Sequence, residues 1–239
     1  MKLYIGNKNY SSWSLRPWLA MRQAGIAFDE VRLRIDFAAG SAFKRALAAV
    51  APTGRVPVLV DDAPSGDAAA GDAPLAVWDT LAIGEYLAEK FPDKALWPAA
   101  VRDRARARSL CAEMHSGFAA LRTHLTMNVE AQLADTGAAV LRERADVRAD
   151  VERIQAMWCE RLAASTGPFL FGAFGLADAF FAPVCSRFRT YGVALAEPAA
   201  AYAARVLALP AMLQWDREAR AEKDFLSFDE PYRQPGDGG

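Results

Sequence analysis

The period of the hydrophobic pattern changes partway along this chain of 239 residues, and the change limits what the chain can fold into. Up to about residue 90, short apolar or alternating runs typical of strands are interleaved with segments of helical period. After Arg102 almost every segment has a helical period. The sequence therefore predicts an α/β domain over residues 1–90, a linker over 91–101, an all-helical domain over 102–232 and a disordered tail over 233–239.

The elements of the first domain follow the order strand, helix, strand, helix, strand, strand, helix. The first two strands are joined through a helix and should be parallel, whereas the last two are joined by a loop and should be antiparallel. This order is the one expected of a thioredoxin-like domain. The loop of the last pair, DDAPSGDAAAGDAP, is predicted to be mobile because it is rich in Ala, Asp, Gly and Pro. Residues 102–125 of the second domain are predicted to form one long helix.

The composition excludes several classes of function. The 28 basic and 29 acidic residues leave a net charge of −1, which gives no footprint for nucleic acid or an anionic membrane surface. The longest apolar stretch, residues 169–184, contains Gly, Asp and Pro and falls short of the ~20 apolar residues that span a membrane. The three cysteines and two histidines have no metal-ligand spacing. We therefore expect a cytoplasmic protein without a bound metal.

Four motifs follow one another along the chain. They are SSWSLRPW after the first strand, PTGRVPVL before the third strand, WDTLAIGEYL at the third helix and GAFGLADAFFAPV in the helical domain. Together they resemble the soluble glutathione transferase family over nearly the whole chain, with a zeta-like first motif in which Trp13 replaces a cysteine. The resemblance implies a thioredoxin-like domain that binds glutathione, followed by an all-α domain. In the last motif Gly175 takes the usual capping position, so Asp178 is expected to cap its helix.

The serines of the first motif lie at the start of a helix, where free N–H groups and the helix dipole stabilise an anion. The resemblance implies that one hydroxyl donates a hydrogen bond to the thiol of bound glutathione. Alignment on the zeta-like motif favours Ser11, whereas counting back from Arg16 favours Ser12. The serines could instead serve only as turn formers and caps, and Ser14 is expected to cap the helix. Trp13 either walls the thiol site or packs at the domain junction.

The resemblance implies further glutathione contacts at two turns of the first domain. The bond between Val56 and Pro57 is cis in the family, which lets the backbone of Val56 pair with the cysteinyl unit of glutathione. Arg55 is a candidate for the glycyl carboxylate. Without the resemblance, Pro57 would fit an edge strand and Arg55 a solvated loop. Asp79 and Thr80 begin the third helix, where they can cap it and hold the γ-glutamyl carboxylate.

The resemblance also implies a reaction. Glutathione is the co-substrate, its thiol is activated, and the thiolate attacks a hydrophobic electrophile. Met114, His115 and Phe118 are candidates for the electrophile pocket, because their helix faces the sulfur in the family. A homodimer is expected on the same ground. Two alternatives remain open: a glutathione-dependent cis–trans isomerase, against which Trp13 counts, and a non-catalytic glutathione-binding relative.

Overall fold

The structure is a computed structural model that describes residues 1–62 and 73–233. The strands and helices of its first part have the predicted order: β1 Lys2–Ile5, α1 Ser12–Gln23, β2 Asp29–Arg32, α2 Ala42–Ala48, β3 Val58–Asp61, β4 Leu75–Trp78 and α3 Thr80–Lys90. The strands form one sheet in the order β2-β1-β3-β4. As predicted, β1 and β2 are parallel and β3 and β4 antiparallel, which confirms the thioredoxin-like domain.

Helix α1 links this sheet to the rest of the molecule. Its residues Leu15, Trp18 and Leu19 are fully buried, together with Leu3 and Ile5 on β1. These side chains belong to one apolar cluster that continues into the helical domain. Burial of each such side chain contributes about 2 kcal/mol, so the apolar face of α1 contributes strongly to joining the two domains.

The second part of the chain is helical, as predicted. Its helices are α4 Val101–Ser116, α5 Ala119–His124, α6 Ala134–Glu143, α7 Ala145–Ala164, α8 Leu176–Thr190, α9 Glu197–Leu207 and α10 Pro210–Ala221. Helix α8 is central, because fourteen of its fifteen residues are buried. It packs against α1, α4 and α9. Thus α8 is the element through which the helical domain contacts the start of α1.

The prediction of one helix over residues 102–125 is wrong. The helix ends at Ser116, and Phe118 has a left-handed backbone conformation (φ 56°) before α5 begins. Arg122 reaches back and donates hydrogen bonds to the carbonyls of His115 (3.1 Å) and Gly117. These bonds satisfy carbonyl groups that a continuous helix would have paired along its own axis. The break turns α5 towards the N-terminus of α1.

The cap of α8 agrees with the prediction for Asp178. Its carboxylate accepts hydrogen bonds from the N–H of Gly175 (2.9 Å), the N–H of Leu170 (3.2 Å) and the hydroxyl of Tyr202 (3.0 Å). Burial raises the pKa of Asp178 to about 6. None of these three partners lines the cavity that contains Ser11. The role of Asp178 is therefore to hold α8 in place.

Two segments predicted to be mobile or disordered lie largely outside the residues that the structure describes. Most of the loop predicted to be mobile, residues 63–72, and residues 234–239 of the predicted tail lie outside them. Arg233, which was assigned to that tail, pairs with Glu230 through two hydrogen bonds (2.7 and 2.8 Å). Within the described part of the chain, no helix is long and apolar enough to cross a membrane, and no cluster of His, Cys, Asp and Glu could hold a metal ion.

Candidate functional site

The serines at the start of α1 have different roles. Ser11 is the N-cap: its Oγ accepts a hydrogen bond from the N–H of Ser14 (3.4 Å) and donates one to the Oγ of Ser14 (2.8 Å). The prediction that Ser14 caps the helix is wrong. Ser14 is fully buried within α1, where its Oγ also accepts from the N–H of Gly6 (3.1 Å). These bonds fix the turn between β1 and α1.

Ser12 is the first residue of α1 and has a partner from the other domain. Its Oγ accepts a hydrogen bond from Nη2 of Arg187 on α8 (3.3 Å). Because a guanidinium can only donate, the hydroxyl proton of Ser12 is left for a further acceptor. Ser11 and Ser12 are each 7% exposed, and both line the same cavity.

Two neighbouring cavities meet at this point. The larger has a volume of about 590 Å³ and is lined from both domains and from the segment after α10. The smaller has a volume of about 470 Å³ and lies between the loop before β3 and the start of α3. Both are lined by Trp13, Arg55 and Val56, so they form one continuous groove. Its volume is in the range of sites that bind small organic molecules.

Trp13 lines both cavities and also packs at the domain junction. The guanidinium of Arg16 lies 4.3 Å from the centre of its ring, and that of Arg122 lies 5.4 Å away. The ring of His115 on α4 meets Trp13 edge-on at 5.1 Å. Since an aromatic face attracts cations, the indole is held between charged groups of both domains.

The smaller cavity brings together most of the residues predicted to bind glutathione. Its wall contains Trp13, Arg55, Val56, Pro57, Asp79 and Thr80. The bond between Val56 and Pro57 is cis, as the resemblance implied. Pro57 directly precedes β3, which lies between β1 and β4, so the alternative of a proline on an edge strand is wrong.

The start of α3 provides both an anion site and a carboxylate. Asp79 is the N-cap, and its side chain accepts a hydrogen bond from the N–H of Leu81 (2.8 Å). The hydroxyl of Thr80 is buried and has no hydrogen-bond partner among the described residues. His115 also lines this cavity, and its Nε2 lies 3.3 Å from Oδ2 of Asp79. A ligand with one anionic and one cationic group would therefore find partners for both.

The electrostatics of the groove are set by buried arginines. Burial, together with repulsion from Arg122 and Arg187, lowers the pKa of Arg16 to about 9. Burial also lowers the pKa of Arg187 to about 10. Both groups remain charged at neutral pH and place positive potential beneath the serines. In the larger cavity, burial raises the pKa of Asp229 to about 6.

Some predicted residues lie elsewhere. Met114 and Phe118, expected in the electrophile pocket, are 1% and 7% exposed; they belong to the hydrophobic core and line neither cavity. Met114 lies on the buried face of α4 with Leu110 and Cys111, and Phe118 lies at the break that follows this helix. His115 does line a cavity, but it is the smaller one.

The sequence did not predict those residues of the larger cavity wall that lie far along the chain from the first motif. Arg187, Arg122 and Asp229 all lie in the second half of the chain. Arg187 could have been noticed, because an arginine within the apolar segment LADAFFAPVCSRFRTYG indicates a buried charge, and buried charges are usually paired. Asp229 lies in a short 3₁₀ turn, Ser227–Asp229, which has no comparable signal.

A thioredoxin-like sheet, an all-helical second part and a groove between them at the start of α1 define a glutathione transferase fold. Residues 10–90 match the family model described as "Glutathione S-transferase, N-terminal domain". These residues therefore form a glutathione S-transferase N-terminal domain.

Solved structures agree over nearly the whole chain. A glutathione transferase homologue from Burkholderia with bound glutathione has 22% identity and a TM-score of 0.62, covering 92% of this chain and 97% of its own. A sphingomonad glutathione S-transferase complexed with glutathione has 25% identity and a TM-score of 0.61 (92% and 98% covered). A maleylacetoacetate isomerase from Methylobacterium extorquens AM1 has 26% identity and a TM-score of 0.58 (92% and 97% covered). No curated protein sequence matches the chain.

Proposed function

We propose that the protein is a glutathione transferase that activates the thiol of glutathione with a serine hydroxyl at the N-terminus of α1. One observation carries this proposal: Ser11 and Ser12 line the larger cavity at the start of α1, and the smaller cavity meets it at the adjacent Trp13. Glutathione would occupy the smaller cavity and extend its cysteinyl sulfur to the serines. The electrophile would occupy the larger cavity.

Each part of glutathione has a partner in this arrangement. The N-terminus of α3 and the unpaired hydroxyl of Thr80 would take the γ-glutamyl carboxylate. The carboxylate of Asp79 would take the α-ammonium group. The backbone of Val56, which precedes the β3 ladder, would pair with the cysteinyl unit, and Arg55 would take the glycyl carboxylate. Bound glutathione in the Burkholderia and sphingomonad relatives supports this assignment.

Ser12 is the better candidate for the hydrogen bond to sulfur. The proton of Ser11 is donated to Ser14, whereas Ser12 accepts from Arg187 and keeps its own proton to donate. A free thiol has a pKa of ~8.5, and each unit of lowering requires ~1.4 kcal/mol. A hydrogen bond from Ser12, the dipole of α1 and the charge of Arg187 can each supply a part of this.

The chemistry follows from thiolate activation and proximity. The thiol proton passes to solvent, the sulfur attacks an electrophilic carbon and a C–S bond forms. In a displacement, the bond to the leaving group breaks and that group departs with the electron pair; in an addition, a π bond opens and the neighbouring atom takes a proton from solvent. Holding both reactants in one groove replaces a bimolecular encounter by a local reaction, which is worth up to ~7–11 kcal/mol in favourable geometries. The protein would contribute no covalent intermediate of its own.

A second candidate is a glutathione-dependent cis–trans isomerase, since the Methylobacterium relative is an isomerase. In that reaction the thiolate adds and then leaves, so glutathione is not consumed. Loss of free thiol during turnover would identify a transferase, and constant thiol with conversion of the substrate would identify an isomerase. A non-catalytic relative would bind glutathione and give neither result.

The serine assignment is tested by substituting each hydroxyl separately. We expect Ser12→Ala to raise the pKa of bound glutathione by about one unit and to slow conjugation of chlorodinitrobenzene about tenfold. Thiolate absorbance in the ultraviolet, followed against pH, gives the pKa. Ser11→Ala is the matched control: it should lower stability through loss of the cap while changing the thiol pKa less. If Ser11→Ala alone raises the thiol pKa, the assignment belongs to Ser11.

Homodimer formation and a cytoplasmic location stay predictions. The outer strand β4 exposes Leu75 and Trp78 (40% and 41% exposed), which is apolar surface available to a partner. Light scattering on the purified protein would measure its mass in solution and decide between monomer and dimer.

A further inference from the structure

The larger cavity is more positively charged than an apolar electrophile requires. Four cationic side chains line it, Lys44, Arg55, Arg122 and Arg187, against a single carboxylate among the described residues, that of Asp229. The apolar part of its wall includes aromatic rings near the mouth. Such a cavity favours an occupant that combines an apolar body with negative charge.

Two of these cations come from the helical domain and are held without a carboxylate. The guanidinium of Arg187 donates to the carbonyl of Leu125 and to Ser12 Oγ, and its residue is only 5% exposed. Arg122 is half-buried and donates to carbonyl groups at the end of α4. Within the described part of the chain, neither arginine has a carboxylate at ion-pair distance. Burying unpaired charge costs free energy, and a bound anion would offset this cost.

The charges that glutathione brings do not neutralise the cavity. Its glycyl carboxylate would lie beside Val56, close to Arg55 and to Lys44, whose ammonium is 3.0 Å from the carbonyl of Gly54. Its thiolate would lie at Ser12, close to Arg187. Four cations and one carboxylate leave an excess of three positive charges, and these two anionic groups reduce it to one.

We propose that the electrophile carries a carboxylate, which Arg122 and Arg187 bind in the larger cavity while its apolar part contacts Phe43 and Phe228. This deepens the proposed function and rests on it. The bond changes are those of ordinary conjugation: for an aryl chloride, the C–S bond forms, the C–Cl bond breaks, and chloride leaves with the electron pair. The sequence-based expectation of a purely hydrophobic electrophile is thereby replaced by that of an amphipathic organic acid.

The test compares two electrophiles that differ in one charge. The first is a chlorodinitrobenzoate whose carboxylate is para to the chlorine, and the second is its methyl ester. Each kcat/KM is divided by the rate constant for glutathione alone, which removes the difference in intrinsic reactivity. We expect this ratio to be about tenfold higher for the acid at low salt, and the preference to shrink as salt is added.

Two variants locate the effect. Arg122→Gln should reduce the ratio of the acid's value to the ester's to about twofold or less. Arg153→Gln, in which an exposed arginine that pairs with Glu113 far from the cavity is replaced, should keep the full preference. A folding defect would lower both substrates together, so the ratio reports on the charge.

A binding measurement keeps the inference testable without turnover. Calorimetry on the glutathione-saturated protein compares dinitrobenzoate, which lacks the chlorine, with its methyl ester. We expect about tenfold tighter binding of the acid. If both electrophiles react but the acid has no advantage, or if both probes bind equally, the inference of an anionic substrate is overturned. If neither electrophile reacts while the acid still binds more tightly, the proposed transferase activity fails and the anion site stands.

Discussion

At the scale of single residues, His115 and Asp79 connect the two domains across the smaller cavity. Their contact of 3.3 Å places an imidazole against the carboxylate proposed to bind the α-ammonium of glutathione. Burial lowers the pKa of His115, and Arg16 and Arg122 act in the same direction, while Asp79 opposes them. At neutral pH the imidazole is therefore uncharged, and the negative charge of Asp79 is available to the ligand.

We predict that glutathione affinity falls several-fold as the pH drops from about 7.5 to about 5.5. Protonated His115 then pairs with Asp79 and repels the α-ammonium group. The free energy of unfolding should also fall with falling pH. Because the pKa of His115 is lower in the folded state, the unfolded chain takes up the proton more readily, and this loss begins as the pH falls below the unfolded pKa of ~6.5. Calorimetry across this range measures the affinity.

The variant His115→Asn should bind glutathione with little change over the same pH interval. His124→Asn is the matched control, because His124 is half-buried on α5 and lines neither cavity. It should keep the pH dependence of the wild type. A pH dependence that survives in His115→Asn would show that another group titrates.

At the scale of elements, α8 positions one wall of the larger cavity and depends on a single buried carboxylate at its start. Asp178 satisfies the N–H of Gly175 at the cap, the N–H of Leu170 in the preceding turn and the hydroxyl of Tyr202 on α9. Gly175 at the cap position has no side chain that could accept a hydrogen bond from the helix. The direction of α8, and with it the position of Arg187, is therefore coupled to this network.

Replacing Asp178 by Ala should lower the free energy of unfolding by about 3 kcal/mol, since it leaves buried polar groups unsatisfied and removes the cap. Urea denaturation followed by circular dichroism measures the change. The matched control is Asp135→Ala, which removes an exposed carboxylate from the first turn of α6. We expect that variant to stay within about 0.5 kcal/mol of wild type. Equal effects in both variants would contradict the role given to the buried network.

At the scale of the whole molecule, the last helix is fastened to the first domain by a buried lysine. The ammonium of Lys8, which follows β1, pairs with Glu30 on β2 (2.7 Å) and with Glu218 on α10. It also lies 4.7 Å from the ring of Trp18 and 5.3 Å from that of Trp215. A charge buried in this way is tolerated only when it is paired from several sides.

We predict that Lys8→Met lowers the free energy of unfolding by about 3–4 kcal/mol, because it leaves Glu30 and Glu218 facing each other without a counter-charge. Tryptophan fluorescence during urea unfolding is a suitable probe, as Trp18 and Trp215 lie against the ammonium. Lys2→Met, at an exposed lysine on β1, should change stability little. A loss below 1 kcal/mol for Lys8→Met would mean that apolar packing alone joins the domains.

Local patterns predicted the elements well where the cause is local. The alternation of Val31, Leu33 and Ile35 indicates the second strand without knowledge of its partners. The helix stop at Phe118 could not be predicted in this way, since it depends on a left-handed backbone at an aromatic residue and on Arg122 reaching back to the carbonyls. Such contacts appear only once the chain has folded.

The site could be predicted in part for the same reason. Motifs of a few residues identified the turns at Val56 and Asp79, whose geometry is made by neighbours in sequence. The choice between Ser11 and Ser12 could not be made, because it depends on Arg187, which lies 175 positions from Ser12. The charge of the larger cavity could not be predicted either, because its charged residues come from segments that are far apart in the sequence.

The shared cavity wall has a consequence for how the protein is made. Tyr10 and Asp229 line the same cavity, and the hydroxyl of Tyr10 donates to Glu230 (2.7 Å) just beyond it. A ribosome delivers Tyr10 and Glu230 220 positions apart. The early thioredoxin-like domain must therefore wait, with the apolar face of α1 uncovered, until α8 and α10 emerge to cover it. An uncovered apolar face favours aggregation during that interval. The larger cavity is complete only once Asp229 has been synthesised.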